Sequence, residues 1–262
     1  MLSHNPKLSR IVLDHPERAS ASDVERLKGV VSFEMGRQGA SRGLLRVLAD
    51  KPPMKDARFE EEACIRTPKG FLLYLALNAR GRLPSDETSA REMKYAIDVL
   101  CAPRKPLKSY DIIRLGPDEA TALEISELLS ANYSSYPLAL DSDSVSGYLR
   151  LGIPYAVKED GKIVSALFGV PVRFGELDTV EFTLMATSSP MRGIDMTTAL
   201  AAMIRTEAIE RFGEPLMLAE TIAGPVMRSC HDLGMELRGM LREHYLIGIK
   251  DRLYTNLYLW SL

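Results

Sequence analysis

The sequence predicts an α/β protein of the α+β kind. A mixed, mostly antiparallel sheet flanked by helices is expected over residues 109–262, preceded by a small, mostly helical domain over residues 1–105. Three observations carry this expectation. Of the 262 residues, 46% are hydrophobic, enough to bury one large core or two ordinary ones. Between residues 101 and 108, Pro103 and Pro106 stand among Arg104, Lys105 and Lys108, the composition of a linker. Before that segment apolar residues recur at helical spacing; after it short β-rich runs alternate with amphipathic stretches.

Taken in order, residues 23–36, 41–50, 69–80 and 86–100 read as helices, with turn signals at Lys51-Pro52-Pro53 and Leu83-Pro84. The glycine-containing stretch 36–43 follows no strand pattern and lacks the Lys-Ser/Thr ending of a phosphate loop, so it reads as a helix–helix connection. Beyond the linker, 110–115 reads as a strand and 117–131 as a helix opened by Pro117 and Asp118. Runs 154–158 and 162–170 are joined by Glu159-Asp160-Gly161, a hairpin signal whose glycine tolerates positive φ. A strand at 178–187, a long helix at 196–212, a strand at 215–219, a helix at 225–233 and strands at 235–245 and 254–260 complete the pattern.

Composition excludes several classes. The longest apolar run, residues 71–77, falls far short of the ~20 residues that span a bilayer. The N-terminus shows no basic stretch leading into an apolar region, so no secretory signal and a cytoplasmic location are expected. Cys64, Cys101 and Cys230 form no Cys-x-x-Cys pair, and His4, His15, His231 and His244 show no metal-ligand spacing; reduced thiols and no metal are expected. The net charge is −2, yet residues 1–108 hold 20 Lys and Arg against 14 Asp and Glu, and the remainder 13 against 21. The cations are scattered, so a nucleic-acid partner is not expected, and attraction between two oppositely charged parts is an equally good reading.

The chemically informative stretch is 181–200, a strand, a turn and a helix. Free N–H groups at such a helix start converge with the positive end of its dipole, suiting an anion such as a pyrophosphate. Arg192 adds charge and Gly193 lets the backbone approach closely. An ordinary strand-to-helix turn with a surface arginine fits these residues equally well.

The β-α-α-β-β-β-α-β-α-β-β succession of residues 109–262 resembles the GNAT superfamily of N-acyltransferases. Their Arg/Gln-x-x-Gly-x-Gly/Ala signature follows a strand, and its amides hold the pyrophosphate of acetyl-coenzyme A. Here Arg192 and Gly193 match, whereas Asp195 replaces a glycine and Thr197 a small residue. Asp195 is expected to turn sideways and cap the helix beginning at Met196, since a carboxylate aimed at a pyrophosphate would repel it. The resemblance implies an acyl-CoA cosubstrate, acetyl-CoA or another, held by Ala186, Thr187, Arg192, Gly193, Ile194, Asp195, Met196 and Thr197. Within the superfamily the chain is similar to bacterial and archaeal β-lysine N-acetyltransferases, through Glu181, Thr183, Ala186 and Thr187 before the turn, Thr221-Ile222-Ala223, Leu233-Gly234, and Asn256 with Tyr258. Leu184 stands where those proteins carry an acid, so the acceptor need not be β-lysine.

Thioester aminolysis needs a neutral amine, and a lysine-type amine has a pKa of about 10, so a base must take its proton. Strand alternation puts Glu181 on one face with Thr183 and Met185, making it the candidate base. Cys230 stands four residues before Gly234, where many GNAT proteins place a tyrosine acid, and is the candidate proton donor; His231 and Tyr245 are alternatives. Backbone N–H groups of the 178–187 strand would meet the oxyanion. Tyr133, Tyr136, Tyr148 and Tyr155 are candidates for the acceptor pocket, and Asp141 and Asp143 either meet a cationic substrate or cap a helix. The resemblance thus implies acyl transfer to a small-molecule amine or amino acid, with no membrane partner and a homodimer allowed. A non-catalytic acyl-CoA sensor or protein-interaction module on the same fold is the alternative.

Overall fold

The computed structural model describes residues 2–5, 10–52, 58–78, 91–92, 94–95, 98, 110–192, 195–222, 224–242, 247–249, 252–254 and 256–262. The N-terminal part corrects the helical expectation. It comprises β1 (Leu2–Asn5), β2 (Arg10–Ala19), α1 (Ala21–Gln38), β3 (Arg42–Ala49), β4 (Phe59–Thr67) and β5 (Gly70–Asn78), in a five-stranded sheet of order β1-β2-β3-β5-β4. The helix expected over 23–36 is α1, whereas 41–50 and 69–80 are strands β3 and β5. The reason is burial on both faces: every residue of β3 is buried. A strand covered on both sides is a continuous apolar run, which periodicity cannot tell from a buried helix. The stretch 36–43 is accordingly a helix–strand connection. Of the helix expected over 86–100, Arg91, Glu92, Lys94, Tyr95 and Asp98 are described and helical; the linker 101–108 lies outside the described residues.

Helix α1 begins at a capping box in which Ser20 and Asp23 satisfy each other's backbone N–H groups, and it ends on Gly39 at φ 64°, a left-handed position suited to glycine. Its Val31 and Met35 pack on Leu45, Leu73 and Leu75, covering one face of the sheet.

The C-terminal part follows the predicted succession: β6 (Asp111–Arg114), α2 (Glu119–Asn132), α3 (Ser142–Leu151), β7 (Ile153–Glu159), β8 (Lys162–Phe174), β9 (Leu177–Thr187), α4 (Met196–Phe212), β10 (Leu216–Thr221), α5 (Pro225–Asp232) and β11 (Glu236–Leu241). A short ribbon, β12 (Ile247–Ile249) with β13 (Arg252–Tyr254), precedes β14 (Leu257–Ser261) and was not foreseen. The seven-stranded sheet has order β11-β14-β10-β9-β8-β7-β6; β9 and β10 are parallel and the other neighbours antiparallel. At the β7–β8 hairpin, Asp160 and Gly161 both take positive φ, as the Asp-Gly signal requires. Asp118, Asp141 and Asp195 each cap the helix that follows.

Helices α4 and α5 cover one face of this sheet through Leu200, Ile204, Met227 and Cys230. Helices α2 and α3 cover the other face toward β7 and β8 through Ile125, Leu129, Val145 and Leu149. The rest of that second face meets the N-terminal sheet. Leu44, Leu48, Leu72 and Tyr74 form one cluster with Phe174, Leu218, Leu257 and Leu259. Each such side chain contributes roughly 1.5–3 kcal/mol on full burial. The junction is close: a Cβ on Gly239 of β11 would lie 2.0 Å from the Glu62 carbonyl oxygen of β4. The two parts therefore share a core.

They also share a plan. In sheet order, β1-β2-α1-β3-β4-β5 matches β8-β9-α4-β10-β11-β14, with α5 and the β12–β13 ribbon as additions in the second, and with one parallel pair joined through a helix in each.

Candidate active site

Parallel strands β9 and β10 pair from Thr179↔Leu216 to Phe182↔Ala219, where their ladder stops. Strand β9 runs on beside β8 alone and carries a bulge: the register passes from Phe168↔Thr183 to Ala166↔Ala186, and Leu184 takes φ 48°. Two tyrosines hold the bulge. The Leu184 N–H donates to Tyr136 Oη (3.3 Å), and Tyr133 Oη donates to the Met185 carbonyl. Beyond the end of the ladder a cleft of ≈ 90 Å³ opens, walled by Tyr133, Tyr136, Phe182, Thr183, Met185, Thr197, Glu220 and Cys230.

The turn into α4 leads to Thr197 on the cleft wall. Ser189–Met191 make a single 3₁₀ turn containing Pro190. Arg192 follows, its Nη2 donating to Asn132 Oδ1 (2.6 Å) and its Nε to the Thr187 carbonyl (3.4 Å). Asp195 accepts from the Thr198 N–H (3.4 Å) and Thr198 Oγ1 (2.5 Å), so its carboxylate is turned along its own helix, as the sequence suggested. Gly193 and Ile194 lie outside the described residues.

The other predicted residues scatter. Thr197 lines the cleft and donates to Met185 Sδ (3.4 Å). Ala186 is buried among the α2 and α3 side chains, Thr187 Oγ1 pairs with Ser165 Oγ (2.8 Å), and Met196 is fully buried under α4. Cys230 lines the cleft, and burial pushes its thiol up to about 12, so it stays protonated through the neutral range. His231 is exposed beside Asp232, and Tyr245 lies outside the described residues. Tyr133 and Tyr136 reach the cleft wall; Tyr155 instead donates to Glu207 Oε2 (2.9 Å). Asp141 caps α3 by accepting from the Ser144 N–H (2.9 Å).

Glu181 sits on the β9 face that meets the N-terminal sheet, behind the cleft rather than on its wall. Arg46 of β3 reaches across: its Nη1 donates to Glu181 Oε1 (2.9 Å) and approaches Glu220 Oε1 (3.5 Å). Its Nε and Nη2 fork onto the two carboxylate oxygens of Asp14 (2.6 and 3.0 Å). The guanidinium lies over the rings of Phe174 (5.7 Å) and Tyr74 (6.0 Å). Burial pushes the Glu181 carboxyl up to about 6; Arg46 opposes this, and Glu220 and Asp14 add to it. Among the described residues, Glu220 is the carboxylate on the cleft wall. Sequence reasoning gave it no role. Its signal was position, at the carboxyl end of a parallel strand, where open α/β sheets bind ligands.

Among the described residues, no group of three or more His, Cys, Asp or Glu could hold a metal ion, and no helix is long and apolar enough to cross a membrane. No family model and no curated protein matches the sequence. Among solved structures, the chain is similar to a Drosophila melanogaster polyamine N-acetyltransferase that forms N-acetylagmatine (14% identity, 58% of this chain and 99% of that one, TM-score 0.45). It is similar also to an N-acetyltransferase from Staphylococcus aureus Mu50 (12%, 59% and 97%, TM-score 0.46). A third is the ribosomal-protein-S5-alanine acetyltransferase from Vibrio fischeri (12%, 62% and 96%, TM-score 0.46). The C-terminal part is a mixed, mostly antiparallel sheet flanked by helices.

Proposed function

We propose that residues 109–262 transfer an acetyl or other acyl group from acyl-coenzyme A to the amine of a small molecule or amino acid, by direct attack on the thioester, and that residues 1–105 support the site. The observation that carries this reading is the parting of β9 and β10 beside a bulged strand, with a carboxylate on the cleft wall. An extended thioester arm fits between parted strands, where β-strand N–H groups can pair with it as a missing neighbour would.

The residues present suit the cosubstrate. Arg192 and the first amides of α4 offer charge and donors to a pyrophosphate, and Asp195 is committed to Thr198 rather than turned outward. Glu220 takes the acceptor's proton, with Glu181 behind it as the second member of a carboxylate pair. Burial raises the Glu181 carboxyl to about 6, so it is still ionised at neutral pH, and its negative charge favours proton uptake by the neighbouring Glu220. The Cys230 thiol, held near 12, offers the departing sulfur a hydrogen bond rather than its proton.

Coenzyme A should raise the melting temperature of the protein with saturation, because a ligand of the native state stabilises it. Absence of any shift across micromolar to millimolar coenzyme A would contradict the proposal. A shift without acylated product across a panel of amines would select the sensor instead.

A further inference from the structure

We infer that Arg46, contributed by the N-terminal sheet, is a positioning residue for the cleft: it holds Glu220 against the wall and Glu181 behind it in the arrangement that accepts the amine's proton. The inference rests on the proposed acyl transfer. Arg46 lies 135 residues from Glu181 and 174 from Glu220, yet one of its nitrogens serves both.

The groups facing Glu181 come from four strands: Asp14 of β2, Arg46 of β3, Tyr74 of β5 and Glu220 of β10. Tyr74 is fully buried and its hydroxyl is pushed far above the ordinary range, so it stays neutral. Tyr136, which faces Glu220, is likewise raised by burial and neutral, so among these groups of the described residues one guanidinium meets three carboxylates. Side chains of Arg46, Glu220, Glu181 and Asp14 keep only 10, 16, 22 and 31% exposure, so water screens them poorly. Three carboxylates so placed could not all ionise at neutral pH without a cation among them. The Asp14 fork fixes the guanidinium plane, which leaves Nη1 aimed at the two glutamates.

Loss of Arg46 should therefore favour the protonated pair and remove one tie that holds Glu220 in place. In Arg46→Gln, the acid limb of the kcat profile should move up by about one pH unit or more, lowering kcat near pH 6 on the order of 10-fold. KM for acyl-CoA should change little, because Arg192 and the α4 turn are untouched. Arg46→Lys keeps the charge without the fork, so it should restore the limb but only part of kcat. Asp14→Asn should move the limb the other way. Arg18→Gln, which breaks the exposed Arg18–Asp50 pair, is the control and should leave the profile unchanged.

A readout independent of turnover is the carbon-13 signal of side-chain-labelled glutamate, followed against pH. The resonance lost in Glu181→Gln should titrate at higher pH in Arg46→Gln and at lower pH in Asp14→Asn. Opposite movements in the two variants, with Lys rescue, support the role. Unmoved titration in both overturns it, even if acyl transfer is observed. Absence of turnover with every amine, while the titrations move as expected, overturns the acyl-transfer reading instead.

Discussion

In the N-terminal sheet, β2 and β3 are parallel neighbours from Arg10↔Arg42 to Ala19↔Ala49, with a register shift between Asp14 and Arg18 after which pairing resumes, and α1 follows β2 after a single residue, Ser20. In the C-terminal sheet, the topologically matching β9 and β10 pair over only four positions, and residues 188–195 intervene before α4. Both helices pack on their sheets, and both begin with a side-chain cap. The same strand order thus yields a closed wall in one case and a cleft in the other. What makes the cleft is the early end of the parallel ladder, the bulge at Leu184 and the longer turn. The closed copy supplies the other half of a shared core and the guanidinium behind the carboxylates.

The largest expected effect lies where only the open copy has a wall carboxylate. Glu220→Gln should lower turnover by roughly 10²–10⁴-fold while keeping the melting shift with coenzyme A, measured by steady-state kinetics and thermal unfolding. In the unaltered protein, kcat/KM should rise with pH as the Glu220–Glu181 pair loses its proton. The sign for stability is opposite. Glu181 holds its proton more tightly folded than at its ordinary value of 4.5, so its contribution is present below that value and lost as pH rises through about 6. Glu181→Gln should flatten the stability dependence and move the activity limb to lower pH, because Glu220 then loses its like-charged neighbour.

Next is the joint between the copies. Gly239→Ala sets a methyl against a backbone carbonyl that cannot swing aside, and should cost on the order of 3 kcal/mol in denaturant unfolding. The smallest effects compare the two helix starts. Ser20→Ala and Asp195→Ala should each cost about 1 kcal/mol of stability. Asp195→Gly should leave coenzyme A affinity nearly unchanged by calorimetry; a large tightening would mean that the carboxylate opposes the pyrophosphate despite its bond to Thr198.

How far the sequence foretold this depends on how each element is buried. The C-terminal elements sit at the expected places because turn residues such as Asp160-Gly161 bound the strands there, and because aspartates mark the starts of α2, α3 and α4. Strands β3 and β5 were read as helices because residues such as Leu44, Leu45, Leu72 and Leu73 are buried alternately on two faces, which erases the period. At the cleft, Thr197 and Cys230, named from the family resemblance, both lie on the wall. Glu220 and Arg46 were not legible, since their roles arise from strands brought together across more than a hundred residues, and no local pattern carries that juxtaposition.

The central claim is that the opening between β9 and β10 carries acyl-CoA to an amine. Mass spectrometry of products after incubation with acetyl-CoA and an amine library tests it most directly. The expected result is at least one amine gaining the mass of an acetyl group, with free coenzyme A released in equal amount and the yield lost in Glu220→Gln. Intact acetyl-CoA and no modified amine, from protein that is folded and binds coenzyme A, would contradict it.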